Sequence, residues 1–568
     1  MKKILLRLMF LAMLVALLPV HVAQACSAFI VGKDLTADGS TLFGRTEDYP
    51  YAPDGGRHNQ NYVVVPAKTY KDGDKIEDES NGFTYPHLAN EMKYTAVYDS
   101  DRDNGSNGNF AAHGFNELGV AMTATVSATP NDKVLKEDPL VKDGLPEASL
   151  VDLALPRAKT AREVIETVAK VLDEKGSAEG NIIVAADKNE LWYMEILSGH
   201  QYVAIKFPTN KYAVFANTYY LGHVDLNDKE NVIASKDVEE VAKKADSYKT
   251  DKDGNFMIAK SYGPDKYMER NRSRTYAGIK WMDPQAKVNY DDEAFDLLRE
   301  PTDPNKKYTV HDVIAEQRNR FEHLPEYKAD DLVEVGKKID GNVYKYALGN
   351  ENVIDAHVYQ IKPNLPNAFG GVMWLGLAQS RNTPYVPFYG NVEDTYEAFK
   401  NRSTKYDGKS WYWTVWHIDQ MVMKYPEIFG NSIQEKWKAK EAEWDKEQTE
   451  RDAKYANYTD EQAKAAGPEV TKEALERSEK IFKEIKAVEA EMEEKIKKEK
   501  GKDADLVYTG YNKANLLAEA EKGKSADKVS DTKKDSSSQT TWVVIGVLVV
   551  LIAGFFGYKQ FNKKKEEE

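Results

Sequence analysis

The stretch CSAFIVGKDLTADGSTLFGRTEDYP, residues 26–50, carries the interpretation of the whole chain. It begins with Cys26, the only cysteine among 568 residues. Two apolar segments flank Asp38-Gly39, a dipeptide that favours a turn, so the stretch predicts a strand, a turn and a second strand. An Arg-x-x-Asp motif, from Arg45 to Asp48, closes the second strand. The thiol would therefore lie at the start of a strand, beside a charged strand end.

The residues before Cys26 have the pattern of a secretory signal peptide, residues 1–25. Basic residues come first, residues 11–20 are apolar, and Ala23-x-Ala25 supplies the small residues that signal peptidase requires. We therefore expect export and cleavage after Ala25.

The C-terminal end predicts a membrane anchor. Residues 541–558 carry no charge and are just long enough for a transmembrane helix. Residues 521–540 predict a flexible stalk. The lysine-rich residues 559–568 would stay in the cytoplasm by the positive-inside rule, which leaves the whole domain upstream of the segment extracellular. A wall-sorting tail is the weaker alternative, because no LPxTG-type motif precedes the apolar segment.

Composition and motifs exclude several classes of function. The formal net charge is −14 with acidic and basic residues interspersed, which argues against a nucleic-acid partner. One cysteine cannot form an internal disulfide. No H-E-x-x-H or G-x-S-x-G motif occurs, and His113, His200 and His357 lack the spacing of metal ligands. No metal or other cofactor is implied, and these histidines are expected to be structural hydrogen-bonding residues.

The organisation predicts an α+β fold. Residues 26–430 form the main domain, in which four apolar runs over residues 181–218 favour an antiparallel meander. Helices are expected to begin at Thr160 and Thr309. Residues 431–520 are rich in Lys, Glu and Ala and predict a helical extension. Its apolar residues, spaced by three, four or seven from Leu475 to Ile496, mark one helix face that would dock on the main domain.

Cleavage after Ala25 would give Cys26 a free α-amino group. An α-amine has a pKa of about 7.7–8.0 and a thiol one of about 8.5, so the amine can accept the thiol proton near neutrality. Nucleophile and general base would then belong to one residue. Two alternatives stay open: a lipid-modified cysteine, for which Ala23 and Gln24 are unsuitable, and an incidental cysteine near the cleavage site.

The sequence resembles the cysteine-type dipeptidases (dipeptidase A type), which belong to the N-terminal-nucleophile hydrolases with bile-salt hydrolase and penicillin V acylase. The resemblance rests on residues 26–50 and on HGFNELGVAMTAT, NIIVAADKNELWYMEILSGHQYVAIKFP, YAVFANTYYLGHVDLND, GGVMWLGLAQSRNTPYVPFYG and YWTVW in this order. It implies an αββα sandwich of two antiparallel sheets between helices.

The resemblance also assigns roles to particular residues. Arg45 and Asp48 would flank the nucleophile Cys26, and Asn217 would donate a hydrogen bond to the developing oxyanion. Arg274 would complete the site, although Arg270 and Arg272 lie close enough in sequence to be alternatives. Glu195 and Asp187 could meet a substrate ammonium, but buried hydrogen bonding is the simpler role for both.

We therefore predict an exported, membrane-anchored cysteine dipeptidase that hydrolyses dipeptides outside the cell. An acylase or amidase of the same superfamily is the alternative enzyme. A surface lipoprotein without enzymatic activity is the alternative from another class of protein.

Overall fold

A computed structural model gives the fold of the chain. It describes residues 26–49, 58–100, 107–124, 126–324, 338–339, 342–343 and 347–507.

The first sheet is built around the stretch that begins at Cys26. In the described part of the chain it has six antiparallel strands. Their spatial order is Tyr212–Phe215, Ser27–Val31, Thr41–Asp48, Val353–Ile361, Val372–Leu377 and Val386–Tyr389. The predicted turn between the second and third of these is confirmed: Gly39 has φ +74° and the Asp38 carboxylate accepts hydrogen bonds from Ser40.

The second sheet, again within the described residues, has eight antiparallel strands. Their order is Val232–Ala234, Tyr202–Lys206, Leu191–Ile196, Asn181–Ala186, Ala121–Ala124, Asn107–Phe115, Tyr94–Ser100 and Asn59–Val65. Three of the four runs predicted as one meander are neighbours here. The prediction is wrong for the fourth, Tyr212–Phe215, which pairs with Ser27–Val31 in the other sheet. Period-two alternation identifies a strand but does not specify its sheet.

The two sheets face each other, and helices cover their outer surfaces. Tyr359 of the six-stranded sheet packs edge-on against Phe115 of the eight-stranded sheet, with ring centroids 4.8 Å apart. Helix Ala161–Lys175 contacts the eight-stranded sheet, whereas Glu269–Met282 and Val310–Gln317 contact the six-stranded sheet. The interior of this part of the fold is therefore bounded by two sheets.

Both predicted helix starts have their caps. The Thr160 hydroxyl accepts a hydrogen bond from the backbone N–H of Glu163, and Thr309 forms a full capping box with Asp312. The remaining helices are Asp132–Glu137, Leu150–Ala154, Val238–Lys244, Ile258–Tyr262, Glu397–Lys400, Trp411–Lys424, Pro426–Phe429, Ser432–Tyr455, Asp460–Ala465 and Gly467–Lys500. Short 3₁₀ helices span Lys33–Leu35, Glu147–Ser149 and Asn367–Phe369. Two-stranded ribbons pair Lys68–Thr69 with Asn90–Glu91, Lys75–Asp78 with Phe83–Pro86, and Lys338–Ile339 with Asn342–Val343.

The apolar stripe of the C-terminal helix docks as its spacing predicts. Ile485, Val488, Met492 and Ile496 are buried, and helix Gly467–Lys500 packs on helix Trp411–Lys424. The burial of this stripe attaches the long helix to the rest of the protein.

The predicted fold is corrected at its C-terminal end. It included a transmembrane helix, but among the described residues no helix has the length and apolarity needed to cross a membrane. The longest of these helices, Gly467–Lys500, is rich in Lys and Glu. The predicted segments 1–25, 521–540, 541–558 and 559–568 lie outside the described residues. The fold described is a mixed one of helices and antiparallel sheets, without that transmembrane helix.

Candidate active site

The sheet register brings two separate segments to Cys26. This residue directly precedes strand Ser27–Val31, where Ser27 pairs with Thr46 and Ala28 with Phe215. Because both neighbouring strands are antiparallel to Ser27–Val31, the C-terminal end of each lies beside its N-terminal end. Hydrogen bonding between strands thus brings residues 45–48 and 216–217 to the thiol.

Arg45 contacts the thiol directly. Its Nη1 lies 3.7 Å from Cys26 Sγ, and its Nη2 donates to Glu47 Oε2 at 3.0 Å. All three residues are buried. Burial raises the pKa of the Cys26 thiol to about 12, although the Arg45 guanidinium lowers it and the Glu47 and Asp48 carboxylates raise it again. With residue 25 still attached, the thiol is therefore protonated at neutral pH.

Asp48 lies on the other side of the same strand end. Its backbone N–H faces the Cys26 sulfur and lowers the thiol pKa. Its Oδ2 accepts a hydrogen bond from Asn350 Nδ2 at 2.7 Å. The carboxylate also raises the pKa of Arg274, which burial lowers overall, so the two charges are neighbours.

Arg274 and Asn217 form the opposite wall. Arg274 donates through Nη1 to the Cys26 carbonyl oxygen and, at 3.1 Å, to Ser27 Oγ. Its Nη2 donates to Asn217 Oδ1 at 2.9 Å. This bond fixes the orientation of the Asn217 amide, whose Nδ2 is buried and has no hydrogen-bond acceptor among the described residues. An amide donor beside a thiol is thus left available.

The same geometry separates Arg274 from Arg272, which lies two residues before it on helix Glu269–Met282. Arg272 donates to the carbonyl oxygens of Tyr290 and Asp292, at 2.6 and 2.5 Å, away from the thiol. Asn271, one helical turn before Arg274, accepts from Arg274 Nη2 and donates to the Asn217 carbonyl oxygen at 2.7 Å. Asn271 is an additional residue of the wall that sequence analysis missed.

Glu195 stabilises the loop that follows Asn217. Its Oε1 accepts hydrogen bonds from the backbone N–H groups of Tyr220 and Leu221, at 2.6 and 3.1 Å, and from Tyr193 OH at 2.7 Å. Burial raises the pKa of Glu195 to about 7, although these hydrogen bonds act to lower it. The expected role in buried hydrogen bonding is therefore observed. Asp187 likewise accepts from the backbone of Ala161, at the start of a helix.

A buried histidine pair lies behind Arg45. The rings of His113 and His357 stack with centroids 3.6 Å apart, and both approach Asp355 Oδ2, at 3.2 and 2.9 Å. Burial lowers the pKa of His357 to about 3 and also lowers that of His113, so both rings are neutral at pH 7. Their other nitrogens lie 2.7 Å from Tyr359 OH and 2.9 Å from Thr123 Oγ1. These histidines hydrogen-bond as expected, and His200 likewise bonds to Asp138.

Glu47 and Asp355 are two more residues that sequence analysis missed. The sequence does hint at Glu47, because it lies two residues after Arg45 in a strand and its side chain therefore points to the same face. Asp355 carries none, since its pairing with Glu47 joins strands about three hundred residues apart in sequence.

Comparison with known proteins shows that the chain is a peptidase. The profile of Peptidase family C69 matches residues 25–478, and the chain belongs to this family. "Probable dipeptidase B" of Streptococcus pyogenes serotype M1 is 48% identical over 486 residues, covering 84% of this chain and 95% of that protein. "Probable dipeptidase" of Latilactobacillus sakei is 33% identical over 392 residues, covering 69% of this chain and 79% of that protein. The resemblance inferred from the sequence motifs is confirmed.

Proposed function

We propose that this protein is an exported cysteine dipeptidase with Cys26 as its N-terminal nucleophile. One observation carries the proposal: Arg45 contacts the buried sulfur of Cys26, while Arg274 bonds both the Cys26 carbonyl oxygen and Asn217, whose amide donor has no acceptor among the described residues. The names of the relatives support dipeptides as substrates. The residues before Cys26 support export and cleavage after Ala25.

Removal of the residues before Cys26 would activate its thiol as a nucleophile. In the full-length chain the nitrogen of Cys26 is an amide, which cannot accept a proton, and burial keeps the thiol pKa at about 12. Once Cys26 is the first residue, its α-amine becomes a base next to the sulfur. Asp48, whose carboxylate acts on the thiol, would hold the resulting ammonium.

The reaction would then proceed in two steps. The thiolate attacks the peptide carbonyl, and the tetrahedral oxyanion accepts a hydrogen bond from Asn217 Nδ2. Arg274 supports this donor by holding Asn217 Oδ1 at 2.9 Å. The α-ammonium of Cys26 gives its proton to the leaving amino acid as the C–N bond breaks, which leaves a thioester. A water molecule that loses a proton to the same amine hydrolyses the thioester and restores the thiol.

Two matched preparations test the proposal: the chain starting at Cys26, and the same chain starting at Ala25. We expect only the first to hydrolyse dipeptides, because the second has no α-amine on Cys26. Cys26→Ala should abolish hydrolysis by the first preparation while leaving its thermal unfolding unchanged. Equal activity of the two preparations, or an active Cys26→Ala variant, would refute the mechanism.

The natural protein and a wider substrate panel complete the test. N-terminal sequencing should give Cys26 as the first residue, and a diacylglyceryl cysteine would instead support a lipoprotein. Dipeptides should be cleaved in preference to conjugated bile acids and penicillin V. The reverse preference would assign the acylase reaction.

A further inference from the structure

The inner face of the six-stranded sheet carries two opposed carboxylates next to the thiol. Arg45 pairs with His357, and Glu47 pairs with Asp355. Residues paired in this way point to the same side of a sheet, with Cβ atoms about 4.5–5.5 Å apart, and like charges in this position repel each other. Both carboxylates are fully buried, so solvent does not screen the repulsion.

Each carboxylate has one oxygen engaged and one oxygen unsatisfied. Glu47 Oε2 accepts from Arg45, and Asp355 Oδ2 lies beside His113 and His357. Glu47 Oε1 and Asp355 Oδ1 are buried and have no hydrogen-bond donor among the described residues. Buried carboxylate oxygens without donors are costly, so two of them on paired residues indicate a missing ligand that donates.

The charges identify the ligand as a cation. Among the described residues, Arg45 is the guanidinium that contacts Glu47, and both imidazoles are neutral because burial lowers their pKa values. Burial raises the pKa of Glu47 to about 8, with the Asp355 charge adding to the effect, so a proton substitutes for the absent cation. A group with one positive charge and several N–H donors would satisfy both oxygens.

We propose that Glu47 and Asp355 bind the α-ammonium of the substrate and thereby restrict hydrolysis to peptides with a free N-terminus. This inference rests on the proposed function, with Cys26 as nucleophile. Arg45 connects the nucleophile with the carboxylate pair, because its Nη1 lies 3.7 Å from Cys26 Sγ and its Nη2 lies 3.0 Å from Glu47 Oε2. The α-nitrogen of a residue is about 2.5 Å from its own carbonyl carbon. A carbonyl at the sulfur therefore brings its ammonium towards Glu47.

Two substrates that differ only in the amino group test the proposal: alanyl-alanine and propionyl-alanine. The chain starting at Cys26 should favour alanyl-alanine by about 100-fold or more in kcat/KM, because the second substrate leaves the carboxylates without a donor. Glu47→Gln should lower kcat/KM for alanyl-alanine about 30- to 100-fold and that for propionyl-alanine less than about threefold. Equal losses for both substrates would show that Glu47 acts only by holding Arg45 and would overturn the proposal.

Asp152→Asn provides the matched control. Asp152 is a partly buried carboxylate whose Oδ1 accepts from Tyr94 and Tyr98, at 2.7 and 2.5 Å, under the eight-stranded sheet. Its removal should leave the ratio between the two substrates unchanged. If Glu47→Gln does not fold, the wild-type ratio decides, since equal hydrolysis of both substrates overturns the proposal.

Two further outcomes separate this proposal from others. Hydrolysis of neither substrate by the chain starting at Cys26 refutes the proposed function itself. The preference should persist after dialysis against EDTA. If EDTA abolishes activity and zinc restores it, the cation at Glu47 and Asp355 is a metal ion, and the ammonium proposal is wrong.

Discussion

Two buried arginines, each beside a buried glutamate, are surrounded very differently. Arg318 donates to both oxygens of Glu441, at 2.9 and 2.6 Å, and Glu441 also accepts the backbone N–H of Tyr385 at 2.8 Å. Arg45 donates to one oxygen of Glu47 and turns its other nitrogen to a thiol. Both pairs are removed from water, but only the Arg318 pair has all the glutamate oxygens engaged.

The difference separates a pair that stabilises the fold from one that prepares a site. The Arg318–Glu441 pair joins helix Ser432–Tyr455 to the loop after strand Val372–Leu377, where Arg318 also donates to the carbonyl oxygen of Thr383. A buried pair is favourable only when its remaining donors and acceptors are satisfied. The Arg45–Glu47 pair does not meet this condition, because Glu47 Oε1 is buried without a hydrogen-bond donor among the described residues.

Arg318→Met should have the largest effect on stability. It leaves the Glu441 carboxylate buried without its bidentate partner, which costs about 3–5 kcal/mol in the free energy of unfolding. Urea denaturation measures the loss, and dipeptide hydrolysis per folded molecule should be unchanged. The double variant Arg318→Met with Glu441→Leu should recover part of the stability, because it removes both charges. A loss below about 1 kcal/mol would contradict this view of the pair.

Arg45→Met should lower the free energy of unfolding less than Arg318→Met does. It should instead lower the reactivity of the Cys26 thiol. Burial already raises the pKa of Glu47 to about 8, so the carboxyl group can take up a proton when the guanidinium is removed. The free energy of unfolding should then fall by only about 1–3 kcal/mol. The thiol loses its neighbouring cation, and a rise of about one unit in its pKa would slow alkylation by iodoacetamide about tenfold.

Arg45→Lys is the matched control for that experiment. Lysine keeps the positive charge but not the two-pronged geometry that reaches Cys26 and Glu47 together. Alkylation should therefore be slowed less than in Arg45→Met. If both variants react like the wild type, Arg45 does not act on the thiol.

The strand–turn–strand that follows Cys26 could be predicted because its signals are local. Asp38-Gly39 fixes the turn, and the apolar residues on either side form the strands. The Arg-x-x-Asp motif then falls beside Cys26 through simple hairpin geometry. The prediction of Arg274, by contrast, rested on the family resemblance. Helical periodicity alone does not distinguish it from Arg270, which lies on nearly the same face of the helix.

Asp355, which sequence analysis missed without any signal, is fixed by a pairing distant in sequence. The strand Val353–Ile361 lies next to Thr41–Asp48 with Asp355 opposite Glu47, and no local pattern encodes that register. The fourth run of the expected meander was assigned to the wrong sheet for the same reason. The predicted transmembrane helix rested on hydropathy at residues 541–558 alone, and the described fold contains no helix of that kind.

The pH dependence of stability gives the smallest effect, at most about 1.4 kcal/mol per pH unit for a single group. Glu47 has its pKa raised by burial from 4.5 to about 8, so between these values the folded protein holds a proton that the unfolded chain has released. The stabilisation is complete below pH 4.5 and is lost as the pH rises towards 8. Glu47→Gln cannot titrate, and its free energy of unfolding should fall less steeply over this interval than that of the wild type.

Glu316→Gln separates this effect from function. Burial raises the pKa of Glu316 to about 8 as well, but this residue lies on helix Val310–Gln317, on the outer side of the six-stranded sheet. Both variants should flatten the pH profile of stability, measured by urea denaturation at several pH values. Only Glu47→Gln should also change the preference for a free amine. If Glu316→Gln changes that preference equally, the contrast between the two carboxyl groups is lost, and buried charge in general, not the position next to Arg45, sets the selectivity.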